Sequence, residues 1–246
     1  MSTSVVLLSY KEAENLKILL PQIKKVFEEM NEEYEILVID SEKPTDDTKE
    51  VCMNFGVKYI PQEEPYYAGA FRTGIKYATK EKIQVLDSDG SHNPADIPAI
   101  HKKFNEGNYD LVIGSRYTKG GKTNDSKSSI IMSKLLNSVM KVCIGVKAND
   151  ISTSYRLYDA KQLKNVHLVR NNYDVLQEVI LRMKKNKKDF KIGEVPIEFN
   201  KRMFGESKRK LFKFICGYIV NVFYLLCLRF DFIKSEENSN DKFATS

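Results

Sequence analysis

The stretch Ile83-Gln84-Val85-Leu86-Asp87-Ser88-Asp89-Gly90-Ser91-His92-Asn93-Pro94 decides how the chain folds. Ile83–Leu86 reads as a short buried strand ending at Asp87, and Gly90 to Pro94 is turn chemistry. Two carboxylates one residue apart at such a switch can share a hard divalent cation. Mg²⁺ and Mn²⁺ take one or two carboxylates alongside phosphate oxygens. The same residues can also simply cap the turn and the next helix. A calcium loop is excluded, because its sixth position is His92 rather than Gly and its twelfth is Pro98 rather than Glu.

Upstream, two periodicities alternate. Val5–Leu8 is a buried-strand run, and Ser9-Tyr10-Lys11-Glu12 reads as a capping box. Leu16, Leu19, Leu20, Ile23, Val26, Phe27 and Met30 then fall at helical spacing. Glu35–Ile39 is a second strand, ending at Asp40, and a polar loop to Asp47 leads to a helix with Val51, Cys52 and Phe55. Val57–Ile60 is a third strand and Gly69–Ala78 is helical. Strand–helix alternation with continuous apolar strands predicts an α/β fold, a mostly parallel sheet covered on both faces. Such sheets bind ligands beyond the carboxyl ends of their strands. Ser9–Glu12, Asp40–Asp47 and Asp87–Asn93 all leave such ends, so they are expected to meet in space. Asp40 is placed to accept from a ribose or base edge, or to cap its loop. Glu12 either faces a ligand or completes the capping box.

Downstream, a helix is expected over 98–105, a strand over 110–114 and a mobile loop over 117–129. A helix carrying Leu135, Leu136, Val139, Met140 and Cys143 follows, then a helix over 175–184 and a strand over 195–199. Arg116 directly follows a strand. Its guanidinium could grip a diphosphate bidentately or form a surface ion pair.

The 246 residues allow one large domain or two small ones, and 42% hydrophobic with 29% charged residues is globular composition. Four cysteines without a CxxC pair argue against a disulfide scaffold and for a reducing compartment. Three scattered histidines argue against a His-based zinc site. Val5–Leu8 is too short for a signal-peptide core and has no basic flank, so it reads as a strand. The net charge of +6 suits a phosphate-rich ligand or an anionic membrane. One lysine cluster, Lys184 to Lys191, reads as a solvated face. A second, Lys201 to Lys213, abuts an apolar run.

From Phe214 to Leu228 the chain has 15 uncharged residues between Lys213 and Arg229. A spanning helix needs about 20 apolar residues. Lys213, Gly217, Asn221 and Tyr224 form a narrow polar stripe, so an interfacial membrane helix is expected. A last helix packed on the core and a true span are the alternatives. The division expected is one domain over 1–210, an apolar helix over 211–234 and a disordered tail over 235–246.

Seven segments in order resemble one family. Leu8-Ser9-Tyr10-Lys11-Glu12-Ala13-Glu14-Asn15-Leu16 resembles P-T-Y-N-E-x-E-N-L of the family 2 glycosyltransferases, closest to their dolichol-phosphate (polyprenyl-phosphate) mannosyltransferase branch. Ile39-Asp40 and its loop resemble D-D-x-S-x-D-x-T. Ala68-Gly69-Ala70-Phe71-Arg72-Thr73-Gly74 resembles G-A-x-R-T-G. Asp87-Ser88-Asp89 with His92-Asn93-Pro94 resembles D-A-D-x-Q-H-P-P. Gly114-Ser115-Arg116-Tyr117 with Gly120-Gly121 resembles G-S-R-Y-x-x-G-G. Asp150 with Ser152-Thr153-Ser154-Tyr155-Arg156 resembles D-x-T-S-G-F-R. Glu194-Val195-Pro196-Ile197 with Arg202 and Gly205-Glu206-Ser207-Lys208 resembles E-V-P-I followed by R-x-x-G-x-S-K. Each motif is short; the ordered series over residues 5 to about 230 is specific.

The resemblance implies a GT-A fold and inverting transfer from a nucleotide sugar, GDP-mannose or UDP-glucose. The implied acceptor is a polyprenyl phosphate at the cytoplasmic face of a membrane, with a membrane protein as a possible partner. It implies Mg²⁺ or Mn²⁺ on Asp87 and Asp89, with Ser91 where the branch has a metal-binding Gln. It places Leu8, Tyr10, Glu12, Asp40, Ser88, Arg116, Arg202 and Lys208 along the donor. Asp89, Arg116 and Arg202 then carry catalysis. An anionic phosphate acceptor needs no strong base. A hydroxyl acceptor would need one, and Glu178 is that candidate, unless it is an exposed helical residue.

The sequence departs from the pattern at Leu8 (Pro), Lys11 (Asn), Ser41 (Asp), Tyr66 (Gly), Ser91 (Gln) and Ser154 (Gly), and it has no Arg near Ser129. A hydroxyl-acceptor enzyme of surface glycan synthesis and an inactive nucleotide-sugar-binding homologue are the alternatives. An oxidoreductase is disfavoured, since no G-x-G-x-x-G follows the first strand. A nucleic-acid binder is disfavoured, since the basic clusters lack interleaved aromatics.

Overall fold

The computed structural model describes residues 2–201 and 211–233, the side chains of 211–216 excepted. In chain order the elements begin β1 (Ser2–Leu8), α1 (Ala13–Met30), β2 (Glu33–Asp40), α2 (Thr48–Asn54), β3 (Lys58–Pro61), α3 (Tyr66–Tyr77) and β4 (Lys82–Asp87). A 3₁₀ turn (Pro94–Asp96) leads to α4 (Ile97–Gly107), β5 (Leu111–Ser115), β6 (Lys122–Thr123) and α5 (Lys127–Ile144). β7 (Arg156–Asp159), α6 (Ala160–Lys164), α7 (Val175–Asn186), β8 (Ile192–Pro196), β9 (Glu198–Phe199) and α8 (Leu211–Arg229) follow.

Seven strands form one sheet in the order β3-β2-β1-β4-β7-β5-β8. All neighbours pair in parallel except β7, which runs antiparallel between β4 and β5. Val5 and Leu7 of β1 enter one apolar cluster with α1, α2 and α4, while Val6 enters the other with α3, α5, α6, α7 and α8. Ile36 and Val38 of β2 split from Leu37 and Ile39 in the same way. A strand covered on both faces needs apolar residues in both registers, which is why these runs are continuous. Each such side chain fully buried contributes about 1.5–3 kcal/mol.

The α3 glycines are packing residues. A Cβ on Gly74 would lie 2.4 Å from Val6 Cγ1, and one on Gly69 would lie 2.0 Å from the Glu64 carbonyl oxygen. The helix therefore lies close on β1 and on its own lead-in turn. Tyr66, at its first position, has φ of +68°. A non-glycine residue there costs about 1–3 kcal/mol, a strain kept where neighbouring structure enforces it.

Several expectations change. The capping box does not form: α1 starts at Ala13, with Glu12 at the N-cap and no side-chain cap bond. The Ser9 N–H instead donates to Ile39 O of β2 at 2.8 Å, and Lys11 reverses the chain at φ of +62°. Asp46 caps the helix from the next loop, its Oδ2 accepting the Ala13 N–H at 3.0 Å. The 117–129 loop contains β6, held by β9, and α5 already begins at Lys127. On α5, Leu135 and Val139 are exposed, while Met140 and Cys143 are buried. The strand expected over 195–199 is two strands, broken between Pro196 and Glu198.

Part of the Lys184–Lys191 cluster is structural. Lys184 Nζ donates to Ile144 O (3.2 Å) and Gly145 O (2.5 Å) at the end of α5, and Lys185 Nζ to Leu228 O (2.8 Å) at the end of α8. Arg229 donates to Val142 O and Cys143 O. Cations at helix C-termini offset the orphan carbonyls and the dipole. The expected tail at 235–246 and most of the second basic cluster fall outside the described residues.

Candidate active site

Leu8, Asp40 and Asp87 close three adjacent parallel strands, with Leu8 in register with Ile39 on one side and Asp87 on the other. The three polar segments therefore meet at one sheet edge. Ser88 Oγ donates to Leu8 O at 2.5 Å, and Asp46 of the second segment caps α1 directly after Glu12. Tyr10 is exposed, with Lys11 Nζ 5.7 Å from its ring centroid. The Glu12 carboxylate accepts from Asn15 Nδ2.

Asp40 is fully buried. Its Oδ2 accepts from the Tyr59 hydroxyl at 3.2 Å, and its Oδ1 has no partner in hydrogen-bonding geometry among the described residues. Burial pushes its carboxyl above the usual range. An orphaned buried acceptor at the end of a parallel strand suits an N–H or O–H donor from a ligand.

The Asp87-Ser88-Asp89 turn is held by three consecutive residues, Thr153-Ser154-Tyr155, just before β7. Ser154 Oγ donates to Asp87 Oδ1 at 2.7 Å. Tyr155 stacks on His92 with ring centroids 4.8 Å apart, and its hydroxyl donates to Asn93 O at 2.9 Å. His92 Nδ1 accepts the Asp87 N–H at 3.0 Å, which assigns the ring proton to Nε2, 3.4 Å from Thr153 Oγ1. Burial holds the His92 pKa below its ordinary value, consistent with a neutral ring. Asp89, 6% exposed, accepts at Oδ1 from Ser91 N–H (3.0 Å) and Ser91 Oγ (2.6 Å). The hydroxyl of Ser91, the expected ligand position, donates to Asp89. Tyr67 stacks on Tyr173 at 4.2 Å, and burial together with the Asp87 carboxylate raises its phenol pKa.

Two hard carboxylates at one strand end fit a cation such as Mg²⁺ or Mn²⁺. Among the described residues, no group of three His, Cys, Asp or Glu side chains could hold a metal. A cation here would take its remaining ligands from water and phosphate oxygens, the habit of Mg²⁺.

Arg116 forms a buried ion pair, with exposed Asp125 in addition 4.0 Å from its Nη1. Its Nε and Nη2 grip fully buried Asp150 at 2.7 and 2.9 Å, its N–H adds a third bond at 3.1 Å, and Nη2 reaches Ser152 Oγ at 2.9 Å. Burial opposes the Asp150 charge, and the guanidinium outweighs it, holding the carboxyl below its usual range. Asp150 is positioned in turn by Glu194, whose Oε1 accepts the N–H groups of Asn149 (2.8 Å) and Asp150 (3.1 Å). This gives the Glu-Val-Pro-Ile motif a physical role. Arg116 thus organises the loop beside the turn, and its bidentate face is already used.

Glu178 is fully buried and not the exposed helical residue that was its alternative. Its carboxylate accepts from the N–H groups of Val169 and Arg170, from Arg182 Nε (2.8 Å) and from the Tyr224 hydroxyl (2.8 Å). It ties α7 to α8 and to Val169 and Arg170, and its oxygens are occupied by donors. That geometry opposes the expected role as a base. Arg202 and Lys208 lie outside the described residues. His92, Asp150, Ser154 and Glu194 carry the site's scaffold without having been singled out from sequence; only their places in the ordered motifs pointed to them.

A family model described as glycosyl transferase family 2 matches residues 4–166. The chain belongs to family 2 of the glycosyltransferases. It is 29% identical over 238 residues to a dolichol-phosphate mannosyltransferase of Pyrococcus furiosus, spanning 92% of this chain and 64% of that relative's length. It is 28% identical over 218 residues to a polyprenol monophosphomannose synthase of Mycolicibacterium smegmatis, 84% of this chain and 80% of the relative. Among solved structures it is similar to glucosyl-3-phosphoglycerate synthase from Mycobacterium tuberculosis in complex with Mn²⁺, UDP and glucosyl-3-phosphoglycerate. The TM-score is 0.68 at 16% identity, covering 93% of this chain and 79% of that one. That likeness establishes the GT-A architecture.

Glu178→Gln is expected to cost about 3 kcal/mol of stability by leaving Arg182 without its buried counter-charge. Transfer per folded molecule should stay within about a factor of three, less than 1 kcal/mol in barrier. Denaturant unfolding and a transfer assay check both. A loss on the order of a hundredfold in transfer at unchanged stability would return Glu178 to the chemistry.

Proposed function

We propose that the chain is an inverting hexosyltransferase that moves mannose or glucose from GDP-mannose or UDP-glucose to a polyprenyl phosphate. The observation that carries this reading is the meeting of Asp40, Asp87 and Asp89 at one sheet edge in a family 2 chain. The mannosyltransferase relatives support the acceptor class. Asp40 Oδ1 would accept from the base or ribose, and Asp87 and Asp89 would hold the divalent cation. Bound there, the cation would neutralise charge gathering on the departing diphosphate. An acceptor phosphate oxygen attacks the sugar C1 as the C1–O bond to the diphosphate breaks, its electron pair leaving with the diphosphate. The attacking oxygen is already anionic, so no side chain need remove a proton, and the saturated Glu178 carboxylate agrees with that. Arg202 and Lys208 supply positive charge around the donor and acceptor phosphates.

A polyprenyl-phosphate acceptor would put the reaction at a membrane surface, and the cytoplasmic face is the side we propose. α5 exposes Ile131 (69%), Leu135 and Val142 (74%), and α8, packed beside it, exposes Ile219, Val220 and Phe223 (71%). Neither helix contains Asp or Glu, and Lys127, Lys134 and Lys141 flank the α5 face. Apolar side chains with cations suit an anionic interface. No described helix is long and apolar enough to cross a membrane.

The test is product analysis. With labelled donor and polyprenyl phosphate, the product should be a sugar phosphodiester of inverted anomeric configuration, and unphosphorylated polyprenol should give none. Label entering a hydroxyl-bearing glycan instead would overturn the acceptor assignment.

A further inference from the structure

Ser91 and Ser154 stand where the resembling family branch carries Gln and Gly. Both are buried, at 1% and 4% exposure, and both spend their hydroxyl proton on the acidic turn. Ser154 Oγ donates to Asp87 Oδ1 at 2.7 Å, and Ser91 donates to Asp89 Oδ1 through Oγ at 2.6 Å and N–H at 3.0 Å. We propose that these serines are positioning residues that set Asp87 and Asp89 for single-oxygen coordination of a small octahedral cation, with Ser91 orienting Asp89 rather than ligating the metal. The inference rests on the metal reading given under Proposed function.

A hydroxyl carries one proton, and here each is directed at one carboxylate oxygen. Chelation through both oxygens of a carboxylate would turn Oδ1 lone pairs toward the cation, in competition with those donors. Mg²⁺ and Mn²⁺ accept one oxygen per carboxylate in octahedral geometry, whereas Ca²⁺ is larger and often takes both. The Asp87 side of the arrangement is stiff, because Ser154 lies between Thr153 and Tyr155, which hold His92 and Asn93. Hydrogen bonds that orient metal-binding carboxylates typically matter about 10- to 100-fold in affinity.

The experiment measures Mn²⁺ binding to the full chain by electron spin resonance of the free ion, with GDP or UDP present, and Ca²⁺ by competition. Ser91→Ala and Ser154→Ala should each weaken Mn²⁺ binding about tenfold and narrow the preference for Mn²⁺ over Ca²⁺. Ser154→Thr, which keeps the hydroxyl, should retain most of the affinity. Ser154→Gly repeats the comparison should the alanine variant not fold. Wild-type affinity in both alanine variants overturns the inference alone. A Ser91→Ala loss as complete as that of Asp89→Ala makes Ser91 a ligand and also overturns it. A wild-type chain that binds no Mn²⁺ overturns the metal reading itself.

Discussion

Asp89→Asn is expected to lower sugar transfer by on the order of a thousandfold, about 4 kcal/mol in barrier, while the chain folds as wild type. Two facts make this substitution sharper than alanine. Asp89 Oδ1 accepts two bonds from Ser91, and an amide oxygen in the same place still accepts both. The Ser91 bonds that shape the turn are therefore retained while the negative charge is lost. A cation opposite a departing diphosphate depends on that charge, so turnover should fall far more than stability. Unfolding curves that match wild type beside an assay near background would bear this out. Wild-type transfer by Asp89→Asn would remove the acidic turn from the chemistry.

Asp150→Ala should cost about 3–5 kcal/mol, because it strands a mostly buried guanidinium without its counter-charge. For a chain of this size each kcal/mol is worth roughly 2–4 °C, so the melting temperature should fall by on the order of 10 °C. The carboxylate accepts three N–H groups of Arg116, and a Ser152 hydroxyl bond is lost as well. The double variant Asp150→Ala with Arg116→Leu should recover much of the loss, since the uncompensated charge is the costly part. Additive losses in the double variant would contradict a coupled pair. A small effect of Asp150→Ala alone would mean that Arg116 finds another anion.

The half of the fold up to Asp87 was legible because each strand there is a local apolar run ending in a polar turn. Parallel order followed from the helices between them, and the meeting of Asp40 and Asp87 followed from parallel order. β7 was not legible. Arg156–Asp159 is short and includes a fully buried Arg156, which donates to Ile151 O and Leu176 O. Its insertion between β4 and β5 depends on pairings far apart in sequence, which no local pattern reports. The scaffold of the site sits on that same segment, so Ser154 and Asp150 carried no role until the strand was placed. Glu178 misled for a related reason: periodicity marks a helix face, but it does not show that α8 covers the face. Ser9-x-x-Glu12 matched a capping box by composition, yet the Ser9 N–H bonds to Ile39 O of β2 and the cap comes from Asp46.

The central claim is sugar transfer to a polyprenyl phosphate through the Asp87-Ser88-Asp89 edge. Its most direct test supplies the purified chain with radiolabelled GDP-mannose, and separately UDP-glucose, together with polyprenyl phosphate and either Mn²⁺ or a chelator. The account predicts label in the organic phase from one donor, present with Mn²⁺ and abolished by chelation. Donor binding without organic-phase label, or label that chelation leaves unchanged, would contradict it.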